Sequence, residues 1–274
     1  MSYYKVIGLE KEPFSTSPDP QFFYHSASHH TALKRLEISL RLRRGLNVIL
    51  GDVGTGKTTL SRVLLQSFKE EQDFVFHMIL DPSFKSEFQF LLSLVKMFNI
   101  TPQFKSTLDF KEALQKYLFQ AGVEENKTIV LLIDEGQKIT TENLEVLRTL
   151  LNFETNESKL LQVIIMAQVE LLPRVKRIRN FSDRIALKYT INPFDETETR
   201  EMIEFRLREA GFREPGELFT DQAIRLIYQH TQGYPRRISM LCHDAIETIV
   251  MKEQPKVDAK IIDYLIAEEV GAGI

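Results

Sequence analysis

The sequence has no tryptophan, a single cysteine, and no apolar run near the roughly 20 residues a membrane-spanning helix needs. Its longest such runs, Ile129 to Ile133 and Leu160 to Ala167, are the length of buried strands, so no membrane insertion by this chain is expected. Met1 to Glu10 lacks a basic stretch followed by an apolar one, and no secretory signal is expected. Cys242 cannot close an internal disulfide; among apolar neighbours it reads as a buried structural thiol in a reducing cytoplasm. The six histidines show no metal-ligand spacing, His29 and His30 being adjacent and His230 and His243 thirteen apart, so no metal held by protein side chains alone is expected. Charge of one sign is also missing: 35 basic against 38 acidic residues leave a formal charge of -3, and no whole-chain field draws in nucleic acid or an anionic membrane.

What is present is 274 residues, 43% of them hydrophobic, enough for one sizeable core and a smaller satellite. Residues 1 to 28 carry Pro13, Pro18 and Pro20 among Ser and Asp, an irregular leading segment whose Phe14, Phe22, Phe23 and Tyr24 should pack onto something. From His29 to Arg43 apolar residues recur at helical spacing, and Gly45 ends the helix. Short apolar runs then alternate with helical ones. Strands are predicted near 46–50, 74–80, 128–133, 160–167 and 187–191, and helices near 57–70, 86–98, 107–121 and 140–152, the last capped by Thr140 or Thr141. This pattern implies an α/β sandwich with a five-stranded parallel sheet. Beyond Asn192 to Asp195 only helical segments follow, near 195–211, 220–231, 235–252 and 258–269. The expected division is an α/β domain over 1–194, leading segment included, and an all-helical lid over 195–274.

Gly51-Asp52-Val53-Gly54-Thr55-Gly56-Lys57-Thr58 matches G-x-x-x-x-G-K-[ST] between a strand ending at Leu50 and a helix opening at Lys57. Three glycines let the backbone curl so that its N–H groups face a β-phosphate at a helix N-terminus. Lys57 supplies a point charge near the β- and γ-phosphates, the Thr58 hydroxyl a ligand for Mg²⁺, and Thr59 extends the cradle; ATP and Mg²⁺ are the implied ligands. Ile129 to Ile133 runs into Asp134 and Glu135, as a buried strand does that delivers acids at its tip. Asp134 would hold the metal shell, and Glu135 would polarise the attacking water as general base. Gln168, after Ala167, sits where an amide can orient water, a placement that ordinary strand capping explains equally well. Arg184 precedes a strand over Ile185 to Ile191 and follows Arg174, Lys176, Arg177 and Arg179; a finger reaching across a subunit interface and a solvated basic face are both open. Pro235 opens a helix beside Arg236 and Arg237, which lets Arg236 lean towards nucleotide.

The chain resembles the AAA+ ATPases of the ExeA/GspA type, associated with type II secretion and pilus assembly, and is also related to ATPases of the TnsC and MuB kind. The likeness covers nearly the whole length: Gly8-Leu9, Pro13-Phe14, Ser17 to Pro20, Phe23-Tyr24, the Gly51 to Thr58 loop, Asp134-Glu135 with Gln137, the Leu144 to Leu151 helix, Pro235 to Ile238 and Leu241-Cys242. It implies a P-loop (AAA+, ASCE) three-layer fold with strand order 5-1-4-3-2 and a helical lid. It further implies Gln168 as sensor 1, Arg184 as arginine finger, Arg236 as sensor 2, and active sites shared in a homo-oligomeric ring or filament. Two departures stand out. Ala167-Gln168-Val169-Glu170-Leu171 replaces the usual Gly-Gln-Pro-Glu-Leu, and Asp183 rather than Gln precedes Arg184. Secretion-type members often continue into a membrane span and a peptidoglycan-binding domain; this chain stops at Ile274, either as a truncated form or as a stand-alone ATPase, and envelope binding is not carried over.

The resemblance implies an ATP-driven assembly factor acting on a secretion or pilus protein in the cytoplasm. The alternative is an ATP-dependent DNA-binding transposition regulator, in which Arg41, Arg43, Arg44 and the Arg174 to Arg179 cluster would track phosphates. A scaffold that binds ATP without turning it over is disfavoured by the retained Glu135.

Overall fold

A computed structural model describes residues 3–101 and 106–271. Helices α1 (Tyr3–Val6) and α2 (Ala27–Arg41) precede β1 (Leu46–Leu50). Then come α3 (Lys57–Ser67), β2 (Phe74–Ile79), α4 (Glu87–Met97), α5 (Thr107–Phe119), β3 (Thr128–Ile133), α6 (Thr141–Leu150), β4 (Leu161–Ala167), α7 (Leu171–Arg177) and β5 (Ile185–Thr190). The last are α8 (Glu196–Glu209), α9 (Pro215–Leu218), α10 (Asp221–Thr231), α11 (Pro235–Met251) and α12 (Ala259–Gly271). Among the described residues no helix is long and apolar enough to cross a membrane.

All five strands run parallel, in the order β2-β3-β4-β1-β5 expected from the resemblance. A parallel sheet is buried on both faces, and β1, β3 and β4 are buried at every position. Ile129, Leu131 and Ile133 join a core with Phe90 and Leu94 of α4, Leu114 of α5 and Leu147 of α6. Successive side chains alternate between faces, so Val130 and Leu132, equally buried, serve the other. At the edge, β5 alternates half-buried with exposed residues. Local chemistry sets the helix starts: Ser106 and Asp109 form a reciprocal capping box on α5, and the Thr140 hydroxyl accepts from Asn143 N–H at 3.2 Å on α6. At its other end α5 stops at Phe119, and the expected extra turn becomes a π-turn over Gln120–Glu124.

Contacts divide the chain into two compact units, His29–Asp52 with Leu60–Ile191, and Met1–Ser28 with Val53–Thr59 and Asn192–Ile274. The first holds the sheet. The second has its own core, in which Ile203, Ile227 and Ile246 of the C-terminal helices meet Leu9, Phe14 and Phe22. The leading segment, grouped by the sequence reading with residues 1–194, thus clusters with the helical part instead. The cause is its proline-rich backbone, which cannot pair with itself and must find donors elsewhere. The Arg206 Nη1 of α8 donates to the carbonyls of Pro13 at 3.4 Å and Ser15 at 3.2 Å, and Glu10 N–H donates to the Ala210 carbonyl at 2.8 Å. The Phe14 ring meets Phe219 edge-on at 6.1 Å. Cys242 is fully buried in this core, and burial pushes its thiol pKa well up, as an inert structural thiol requires.

Candidate active site

The sheet delivers its functional groups at the carboxyl ends of its strands. β1 stops at Leu50, and Gly51 N–H still pairs with the Ala167 carbonyl at 3.1 Å, so the turn that follows is anchored to β4. Gly54 and Gly56 take φ values of +83° and +93°, a left-handed region open to glycine at no steric cost, and the chain enters α3 at Lys57. Asp52 and Val53 are exposed, Thr55 and Lys57 are buried, and Thr58 and Thr59 are half-buried in the first helical turn. Such a turn into a helix N-terminus is the concave set of main-chain donors that suits phosphate.

Within the same compact unit the helical part touches this turn. Arg236 N–H donates to the Gly54 carbonyl at 3.3 Å, and a Cβ built on Gly54 would lie 3.1 Å from the Arg236 Cβ. The structure therefore brings Arg236 to the glycine-rich loop through its backbone, with its side chain exposed.

In the sheet unit, Asp134 follows β3 and is 3% exposed, with its Oδ1 accepting from Glu135 N–H at 2.9 Å. Glu135 itself is left-handed at φ +51°. Gly136 follows because nothing larger fits: an added Cβ would stand 2.3 Å from Ile165 Cγ2 and 3.2 Å from the Met166 carbonyl. That approach presses the acidic turn against β4 and lets Gln137 bridge the two strand tips. Its Nε2 donates to Glu135 Oε2 at 2.8 Å, while its Oε1 accepts from Gln168 N–H at 3.1 Å. Arg174 of α7 holds the bridge from behind, donating from Nη1 to the carbonyls of Gln137 and, at 2.8 Å, Ile139. Gln168 thus joins the acids through its main chain.

Arg184 stands apart from these groups. It ends a 3₁₀ turn, Ser182–Arg184, just before β5, whose first residue Ile185 pairs with Leu46 at the amino end of β1. The acids and Gly51 lie at the opposite rim of the sheet. Its Nε is buried with no hydrogen-bond partner among the described residues, and beside it burial, then the Arg184 charge, lowers the Lys159 pKa. Two cations share this rim.

Sequence reasoning missed the roles of Gln137 and Arg174. Gln137 entered only as part of the resemblance, and Arg174 was grouped with a basic face; the signal available was an amide two residues past the acids and a guanidinium one helix away. Three arginines from the basic clusters of the DNA-tracking alternative have hydrogen-bond partners within the chain. Arg41 is held by both Glu71 oxygens at 2.8 and 2.6 Å, Arg43 by Thr128 Oγ1 at 3.0 Å and the Asn126 carbonyl at 3.0 Å, and Arg174 by the carbonyls above. Arg43 and Arg174 thereby brace turns of the fold, while the Arg41 side chain, 53% exposed, forms a surface ion pair.

Residues 40–175 match the family model described as AAA domain. General secretion pathway protein A of Aeromonas hydrophila is 34% identical over 246 residues, covering 89% of this chain and 44% of that protein. Mouse origin recognition complex subunit 1 is 26% identical over 213 residues, 74% of this chain and 24% of that one. The chain spans less than half the length of the curated relatives it matches. Among solved structures, the Aeropyrum pernix ORC2 protein (ADPNP-ADP complexes) superposes with a TM-score of 0.65 at 18% identity, covering 89% of this chain and 68% of that one. The Thermotoga maritima RuvB Holliday junction branch migration motor gives 0.56 at 15% identity, over 88% and 68%. A glycine-rich turn between β1 and α3, paired acids at the tip of β3, the β2-β3-β4-β1-β5 order and these likenesses together mean that the chain belongs to the AAA+ P-loop ATPases, of the ExeA/GspA type.

Proposed function

We propose that the protein is an oligomeric assembly or remodelling ATPase of a bacterial secretion or pilus system, working in the cytoplasm and hydrolysing ATP with Mg²⁺ at sites shared between neighbouring copies. The observation that carries the mechanical half of this reading is the Arg236 to Gly54 contact, which ties the phosphate-binding turn to the C-terminal helices within one compact unit. A change in what the turn holds is felt first by α11. The secretion context rests on the A. hydrophila relative, whose name carries it.

In this reading the N–H groups of Gly51 to Thr59 and the Lys57 ammonium grip the triphosphate, and Arg236 reaches it from α11. Thr58 and Asp134 are hard oxygen donors, the set magnesium prefers, and a carboxylate buried at 3% exposure is stable only beside positive charge or donors. A magnesium ion held by these two residues would neutralise charge building on the phosphate oxygens. Glu135 takes the proton of the attacking water, Gln168 helps orient that water, and Arg184 serves the site of the next copy.

Gln137 sets where the Glu135 carboxylate points. Gln137→Leu keeps the volume and removes both hydrogen bonds; one to a charged group is worth about 1.5–3 kcal/mol. Turnover is expected to fall roughly ten- to hundredfold with ATP affinity unchanged, checked by phosphate release beside a fluorescent-nucleotide titration.

The proposal as a whole is tested by phosphate release per molecule over a wide range of protein concentration, with sedimentation alongside. Specific turnover should climb as copies associate. A rate per molecule independent of concentration, in a protein that sediments as a monomer, removes the shared-site reading and leaves a self-sufficient ATPase.

A further inference from the structure

A groove on the C-terminal helices has no part in the chemistry above. It encloses 490 Å³ between the end of α10, one face of α11 and the end of α12. On α11 its lining residues fall at 237, 240, 241, 244, 247, 248 and 251, the three- and four-residue steps of a single helix face. At 1.5 Å per residue that face is about 21 Å long, four turns of a partner helix.

The floor is soft and apolar. Met240 is 50% exposed and Met251 79% exposed, with Leu241 and Leu265 between and beneath them. Unbranched, polarisable methionine adapts to varied apolar anchors, which suits a surface that receives a helix rather than one closed by its own fold. The rim is negative. Asp244, Glu247, Glu268 and Glu269 line it against Arg237 and His230, and His230 is already held by Glu269 at 2.7 Å. Burial above all raises the Asp244 carboxyl pKa; His243, which also meets Glu247 at 3.6 Å, opposes the rise, and Glu247 and Glu269 add to it.

We propose that this groove docks a basic amphipathic helix of a partner protein, its apolar stripe on Met240, Leu241, Met251 and Leu265 and its Lys or Arg flanks against the four carboxylates. An anionic membrane would be repelled by the same rim, and an acidic segment would meet like charge.

The test uses a fluorescein-labelled 14-residue peptide with Leu at positions 1, 4, 8 and 11 and Lys elsewhere. Controls carry Glu in place of Lys, or the same composition with Leu and Lys redistributed so that no helix face is apolar. Binding is read by anisotropy, so the outcome is independent of ATP turnover and of the proposed shared sites. The basic amphipathic peptide should bind about tenfold or more tightly than either control. Met240→Glu, and separately Asp244→Lys with Glu268→Lys, should each cost about tenfold in affinity, the charge-reversed protein taking up the Glu peptide instead. Unchanged phosphate release and thermal melting show that these variants still fold. Equal binding by wild type and both variants, or equal binding of the redistributed peptide, reduces the attraction to general charge and overturns the proposal. So does a Met240→Glu protein that loses self-association, which would assign the groove to a second copy.

Discussion

Glu135→Gln is expected to lower ATP turnover by about 10²- to 10⁴-fold, the range a positioned general base supplies, while ATP binding holds or tightens. Glutamine keeps the shape and can still meet the Gln137 amide, which donates to Glu135 Oε2 in the native protein. What it loses is the capacity to accept a proton at that atom. The check is single-turnover phosphate release beside equilibrium nucleotide binding. A variant that turns over within a few-fold of wild type would strip Glu135 of its role as base and direct attention to other groups at the strand tips.

Arg184→Ala is expected to cost about 10³- to 10⁵-fold in turnover, with ATP binding to each chain preserved. The argument is positional. Arg184 lies before Ile185, level with Leu46 at the amino end of β1, whereas Asp134 and Gly51 follow the carboxyl ends of their strands. In the proposed shared-site reading, an arginine there serves a neighbour. Its Nε is buried without a partner among the described residues, a cost of about 1–3 kcal/mol that docking against an acceptor on another copy would recover. Mixing offers the sharper measurement. Arg184→Ala and Glu135→Gln alone each turn over at about a hundredth of the native rate or less, yet about one quarter of the sites in an equal mixture combine an intact base with an intact finger. Recovered phosphate release on mixing supports sites shared between copies; silence in a mixture shown to co-assemble removes Arg184 from the finger role.

Much of this was legible in the residues. Apolar runs such as Ile129 to Ile133 name buried strands because both faces of a parallel sheet must be covered, and all five strands fall within two residues of their expected bounds. Local capping chemistry placed α6, since Thr140 needs only Asn143 N–H three residues on. The glycine-rich turn was legible for the same reason: its conformation is dictated within eight residues. What stayed hidden depends on partners far along the chain. Gln137 reveals nothing until β3 and β4 lie side by side and bring Gln168 within reach. Helix α7 escaped notice because Pro173 and its charges mask a single apolar face of Leu171 and Val175. The leading segment was grouped with its sequence neighbours, although its carbonyls answer to Arg206, 193 residues away.

That last pairing has a consequence for how the molecule is made. Ribosomes add about 5–20 residues per second, so the carbonyls of Pro13 and Ser15 wait roughly 10 to 40 s before Arg206 exists to receive them. During that interval Leu9, Phe14 and Phe22, destined for the core of the C-terminal helices, have no native surface to cover them. Leu9, Phe14 and Phe22 are therefore a natural place for a chaperone to hold the nascent chain until synthesis reaches α8 and beyond.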